Sequence, residues 1–304
     1  MKILKRVLKV AGLLLVVVAA VFALFVYVQC SRYDASVDKV YDIPVPSVTR
    51  STDQVVIARG KHLVESVAGC AIQRGCHAAD LGGGTPVEMS PLGTLCGPNI
   101  SGDGVAVAYS DGELARMVHH GVKKDGRTVR LMPMQDIAWL PDADVLAIVS
   151  YLRTVQAAGR PNNVTDFKTL AKVLDRQDKI IVDVARRIDH TKPEVAPPPA
   201  PTAEYGRFLA RLCSGCHGEH LSGGRIPGTP SSIPAPLNLT PDASGLGGWS
   251  FQDFDTLMKT GRRKNGKQLD PFMPVDEWRN LDDTEMHALW AFLQTLPATP
   301  LGQR

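Results

Sequence analysis

The five residues Cys213-Ser214-Gly215-Cys216-His217 constrain this chain more than any other stretch. Two thiols three positions apart, with a histidine directly after the second, form the spacing that attaches a c-type haem. The thiols add to the two vinyl groups of the porphyrin, and the imidazole is left facing the iron as proximal ligand. Other uses of a cysteine pair fit less well. A structural zinc site would need a second ligand pair at suitable spacing, and none follows. A thioredoxin-like redox pair would sit in a βαβ pattern, which this region lacks. A plain disulfide leaves the histidine unexplained.

A second copy of the surrounding pattern lies upstream. Gly60-Lys61-His62-Leu63 leads to Cys70 as Gly206-Arg207-Phe208-Leu209 leads to Cys213. His77 is followed by Leu81-Gly82-Gly83, and His217 by Leu221-Ser222-Gly223. Pro98-Asn99-Ile100-Ser101 returns as Leu237-Asn238-Leu239-Thr240, Tyr109-Ser110 as Trp249-Ser250, and Gly121 and Gly126 as Gly261 and Gly266. Met132-Pro133 falls opposite Met273-Pro274. Each half closes on a helical stripe at i, i+3, i+4 and i+7: Val145, Ile148, Val149 and Leu152, then Met286, Leu289, Trp290 and Leu293. Asp142 and Asp282 stand near the two helix starts, where a side-chain oxygen can cap free N–H groups. The chain is therefore a duplicated domain. Its halves are short helices joined by Gly- and Pro-rich loops, with small cores that a haem lying against the helices would complete.

The upstream attachment site is wider. Cys70-Ala71-Ile72-Gln73-Arg74-Gly75-Cys76-His77 places five residues between its cysteines. The reading taken forward is two thioethers, on Cys70 and Cys76, with the intervening residues bulged. The alternative attaches haem through Cys76 alone and leaves Cys70 to pair with Cys96. Cys30 has no assigned role. Methionine is the natural sixth ligand for such a haem, and the repeat singles out Met132 and Met273. Met134 competes with Met132, but its counterpart is Val275. His119 and His120 align with Lys259 and Thr260, which favours a surface role over bis-histidine ligation. Arg127, Arg130, Arg262 and Arg263 could meet haem propionates, and the reading taken forward is surface arginine.

The 304 residues hold a third region of different character at the N-terminus. Lys2, Lys5, Arg6 and Lys9 precede an uncharged apolar run from Val10 to Val28, about long enough to span a bilayer. Its basic flank stays on the cytoplasmic side. The run is longer than an ordinary signal core and lacks a clear small-x-small cleavage site, so residues 1–30 are read as an uncleaved anchor, with a cleaved signal sequence as the alternative. Residues 31–50, with Pro44 and Pro46, read as an extended stalk. Removing the four basic flanking residues takes the formal charge from +3 to −1, so no basic surface argues for nucleic acid.

Between the halves, residues 166–188 carry Phe167, Leu170, Leu174, Ile181, Val184 and Ile188 on a helical period. One or two amphipathic helices packed on a neighbouring domain are expected. Pro193 to Pro201 is a proline-dense, extended linker. The expected units are 1–30, domain 51–158, connector 159–200 and domain 201–304.

Each half resembles a class I cytochrome c domain, of the kind found in cytochrome subunits of membrane-bound bacterial dehydrogenases. Cys213 to His217, Asn238-Leu239-Thr240-Pro241-Asp242, Gly247-Gly248-Trp249-Ser250 and Met273-Pro274 carry the likeness in one half. Tyr109 to Leu114, Gly121 and Met132-Pro133 carry it in the other. The resemblance implies an all-α fold of two tandem domains behind a transmembrane helix. It implies two covalent haems c, with His77 and Met132 on one iron and His217 and Met273 on the other. It also implies export to the periplasmic side of a bacterial inner membrane, because haem thioethers are made outside the cytoplasm.

Iron held by two strong protein ligands has no open position, so it passes electrons. The expected function is a membrane-anchored dihaem carrier between a dehydrogenase or quinol-oxidising complex and an oxidase or another cytochrome. Two other readings stand: a dihaem peroxidase-like enzyme, which would need one methionine displaced, and a cytochrome subunit with no activity alone.

Overall fold

The structure is a computed structural model that describes residues 2–71, 75–162, 165–191, 195–226, 229 and 233–304. The helices are α1 Lys2–Val37, α2 Gln54–Glu65, α3 Asp111–His120, α4 Asp142–Leu152, α5 Thr169–Arg176, α6 Ala203–Leu209, α7 Arg211–His217, α8 Phe251–Thr260, α9 Val275–Trp278 and α10 Asp283–Leu293. Three very short antiparallel strands, β1 Val87–Glu88, β2 Gly93–Leu95 and β3 Asp166–Phe167, tie the first half to the connector. The fold is all-α in its working parts, as expected.

The same crossing builds both halves. In the first, α2 lies against α4 so closely that a Cβ on Gly60 would sit 1.9 Å from the Ala147 carbonyl oxygen. In the second, α6 lies against α10, and a Cβ on Gly206 would sit 1.9 Å from the Ala288 oxygen. Glycine permits this approach because it has no side chain to intervene. The third helix of each half is fixed identically. Ser110 and Glu113 form a capping box on α3, Ser250 and Asp253 one on α8, and Gly121 and Gly261 end them in left-handed conformation.

The closing helices are capped differently. Asp282 is the N-cap of α10 and accepts from the Glu285 amide. Asp142 lies inside α4, whose N-cap is Pro141 with no side-chain bond. Its carboxylate instead meets His119 Nε2 at 3.1 Å. The expectation of capping holds for Asp282 alone.

One continuous core joins the halves, running from Leu63, Leu114 and Val149 to Phe208, Met286 and Leu289. Two contacts at equivalent positions seal it. Trp139 packs on Phe208 with ring centroids 5.4 Å apart. Seven residues after the other methionine, Asn280 donates to the Glu65 carbonyl at 2.8 Å, and beside it His62 meets the buried carboxylate of Glu285 at 2.9 Å.

Residues 31–50 are not a free stalk. Helix α1 continues to Val37, and residues beyond it strap along the first half. Tyr41 donates its amide to the Gly126 carbonyl, and Arg116 holds the Ile43 carbonyl at 3.1 Å. The amphipathic connector packs within the molecule, as expected, but against two partners. Helix α5 grips the end of α1, where Lys172 pairs with Asp34 at 2.7 Å and Tyr33 is buried. Residues 182–185 then brace the first half: Leu131 N donates to Val182 O at 2.9 Å, and Ala185 N to Thr128 Oγ1. The bulge residues 72–74 and Pro193 of the linker lie outside the described residues. Upstream of these contacts, α1 is apolar, exposed and long enough to cross a membrane.

Candidate haem sites

Both histidines are held the same way although the segments before them differ. His217 ends α7, and its Nδ1–H donates to the Leu237 carbonyl at 2.7 Å. His77 Nδ1–H donates to the Pro98 carbonyl at 2.8 Å. Those carbonyls belong to matching frames. The Leu81 carbonyl accepts from Ile100 N, and the Leu221 carbonyl from Leu239 N. Asn99 and Asn238, both buried, accept from the amides of Ser101 and Thr240 at 2.9 Å. A histidine that gives Nδ1–H to a carbonyl keeps Nε2 as its metal-facing nitrogen. The donor set therefore fits a haem iron at each place.

The cysteines are arranged alike in burial. Cys213 and Cys216 are one turn apart on α7, so they share a face. Cys213 is buried and Cys216 exposed, while Cys70 is partly buried and Cys76 exposed. Local backbone differs: α2 stops at Glu65, and Cys70 lies beyond it in irregular chain rather than near a helix end, after Gly69 at φ +55°. Cys96 hydrogen-bonds the Gly84 carbonyl at 3.0 Å, and burial raises the pKa of Cys76, with the Cys96 thiol adding to it.

Met132 and Met273 are half-buried at the rim of the core, each followed by a proline of near-identical conformation. Met134, the competitor, is only 2% exposed and fills the core. His119 and His120 point elsewhere. His119 bonds the Ala138 carbonyl, and His120 Nδ1 meets His190 Nδ1 at 3.2 Å. Arg127 pairs with Asp38 and Asp125.

Electrostatics favour neutral ligands. Burial lowers the pKa of His77 and of His217, keeping each imidazole in its metal-binding form. Burial also pushes the Cys70 and Cys213 thiols up to about 12, with the Glu277 carboxylate adding to both.

Sequence reasoning missed that carboxylate. Glu277 follows Met273 by four residues, as Asp136 follows Met132, and that alignment was the available signal. A second group of ligand-type side chains, His62, Asp282 and Glu285, lies at the seam between halves. Arg59 stands 3.4 Å from the same Glu285 carboxylate, so the chain's own cations already neutralise it.

The sequence profile of the cytochrome c family matches residues 57–156 and 203–297. The chain is 36% identical over 120 residues to a subunit of the nicotinate dehydrogenase of Pseudomonas putida, covering 37% of this chain and 10% of that protein. It is 24% identical over 285 residues to the cytochrome c subunit of a quinone alcohol dehydrogenase of Gluconacetobacter polyoxogenes, covering 84% and 59%. It is 31% identical over 117 residues to the fructose dehydrogenase cytochrome subunit of Gluconobacter japonicus, covering 36% and 24%. The chain thus spans less than two thirds of the length of each of these relatives. With both matched segments falling on the two halves just described, the chain belongs to the cytochrome c family.

Proposed function

We propose that this chain is a membrane-anchored dihaem cytochrome c, serving as the electron-transfer subunit of a dehydrogenase on the periplasmic face of a bacterial inner membrane. Residues 51–158 and 201–304 are its two haem-bearing units. Haem c, when bound, supplies a one-electron ferric/ferrous couple. Cys70 and Cys76 tether one such group and Cys213 and Cys216 the other. His77 with Met132, and His217 with Met273, would hold the two irons and leave no position open to substrate.

The observation that carries this reading is the repeated histidine frame: an imidazole fixed through Nδ1 to a backbone carbonyl, at 2.8 and 2.7 Å, in both halves. A degenerate copy would have no reason to keep that bond. The dehydrogenase as electron donor is supported by the names of the relatives, and the anchor by α1.

Intact mass of the denatured protein, with a pyridine haemochrome spectrum, tests the reading. Two covalent haems are expected, both with ordinary c-type absorption, and no cyanide binding to the oxidised protein. A red-shifted component would assign a single thioether, on Cys76, to the first half. One haem only would overturn the dihaem reading, and rapid cyanide binding would overturn closed axial positions.

A further inference from the structure

Burial raises the thiols of both first cysteines, one from each half, and a single buried carboxylate adds to both. Glu277 is 8% exposed and comes from α9 in the second half. It reaches across the seam to the first half. A Cβ on Gly69 would lie 2.1 Å from Glu277 Oε1, so this carboxylate is packed on the bare backbone next to Cys70. Its charge is felt by the Cys70 sulfur and by the Cys213 sulfur. Cys70 and Cys213 therefore both lie within reach of the Glu277 charge.

No hydrogen bond or ion pair holds this side chain among the described residues. The thiols that face it become uncharged thioethers once haem is attached. The elements packed around it carry Glu65 paired with Lys61 on α2 at 3.9 Å, Asp276 paired with Arg279 at 2.7 Å, and Asp270, which lines the same cleft and accepts from the Phe272 amide at 2.8 Å. Burial alone raises its pKa to about 7. Burial also raises the equivalent Asp136, to about 6, but Gln135 donates to it at 3.0 Å and the Arg211 charge opposes its protonation, so unlike Glu277 it has partners. Glu277 also borders a cleft of about 460 Å³ lined by Leu269, Phe272 and Met273, which opens toward solvent.

We propose that Glu277 is a proton-binding site coupled to the electron occupancy of both haem sites. An electron delivered by the donor protein reduces iron from ferric to ferrous and lowers the local charge by one. Glu277 then takes one proton from solvent onto its carboxylate, and releases it when the electron passes to the acceptor protein. The electrostatics require this direction: added negative charge stabilises the protonated acid. The midpoint potential must therefore fall as pH rises through the interval between the oxidised-state and reduced-state pKa values.

This inference rests on haem being bound at these cysteines. Spectroelectrochemical titration of the detergent-solubilised full chain, at pH values on either side of about 7, tests it. Potentials that fall with pH in the native protein and flat potentials in Glu277→Gln are expected. A flat native profile, or a Glu277→Gln profile as steep as the native one, would overturn it.

Should Glu277→Gln fail to fold, infrared redox-difference spectra of the native protein decide. A protonated-carboxyl C=O band appearing on reduction supports the proposal, and its absence overturns it. Haem counting keeps the underlying reading separate. If only the second site holds haem, the dihaem assignment falls, yet that haem's pH profile still decides the role of Glu277, because it faces Cys213 as well.

Discussion

The second half presents its proposed attachment residues on a compact helix, α7, whereas the first half reaches its own through irregular chain after α2 has stopped at Glu65. Yet both imidazoles end on equivalent carbonyls, and both methionines sit half-buried before a proline. The difference teaches that the cysteine segment does not orient the ligand. The frame made by Leu81 with Ile100, and by Leu221 with Leu239, fixes the carbonyl that holds each imidazole. Loop length before that frame is free to vary, because loop-closure entropy rises only slowly with added residues.

The methionine loops differ in the opposite sense. Residues 182–185 brace the loop before Met132 through Leu131 and Arg130, whose backbone pairs with Asp183. The loop before Met273 is open, with Phe272 47% exposed. The first half is thus irregular at its cysteines and supported at its methionine, and the second half is the reverse.

The sharpest way to break the equivalence is to remove each imidazole. His77→Ala and His217→Ala should each abolish one half of the low-spin six-coordinate signal in electron paramagnetic resonance. An unaltered signal in His77→Ala would show that the irregular half binds no haem through that residue.

The helix crossings come next. Alanine normally favours a helix over glycine by about 1 kcal/mol. At Gly60 or Gly206 the added methyl meets a carbonyl oxygen at 1.9 Å, so overpacking of ~1–3 kcal/mol is expected to win. Thermal unfolding of Gly60→Ala and Gly206→Ala should show similar losses. A rise in Tm for either would mean that its crossing is looser than its twin.

The smallest effect concerns the polar side of the seam. The Glu285 carboxylate hydrogen-bonds His62 and raises its pKa. A raised folded-state value means that protonated His62 stabilises the fold. That contribution is complete below the ordinary histidine value of ~6.5 and lost as pH rises through the higher folded value. Denaturant titrations of the native chain should lose up to ~1 kcal/mol across that window, and His62→Gln should lose the pH dependence. The aromatic side, Trp139 on Phe208, has no titrating group and should contribute none of it.

Much of this organisation is local and therefore legible in residues read in order. The attachment pentapeptide is a chemical requirement of thioether formation and needs no tertiary context. The closing-helix stripes, Gly121 and Gly261, and Met132 and Met273 repeat at a constant offset, which reveals duplication before any fold is known. The apolar run in α1 is a solvent preference written in composition.

Other features join residues far apart and have no local signature. Asp142 has the residue type of a cap for α4 and does not act as one, because the N-cap position falls one residue earlier, at Pro141. Residues 31–50 have the composition of a stalk, yet Tyr41 meets Gly126 once the chain folds back. Glu277 reads as an ordinary helical carboxylate. Its meaning comes from Gly69 in the other half. The sequence by itself singled out the residues proposed to bind haem and showed that the unit is doubled, since those follow from covalent chemistry and periodicity. Only the tertiary structure decided what lies between the two sites, since burial and charge isolation depend on which surfaces meet.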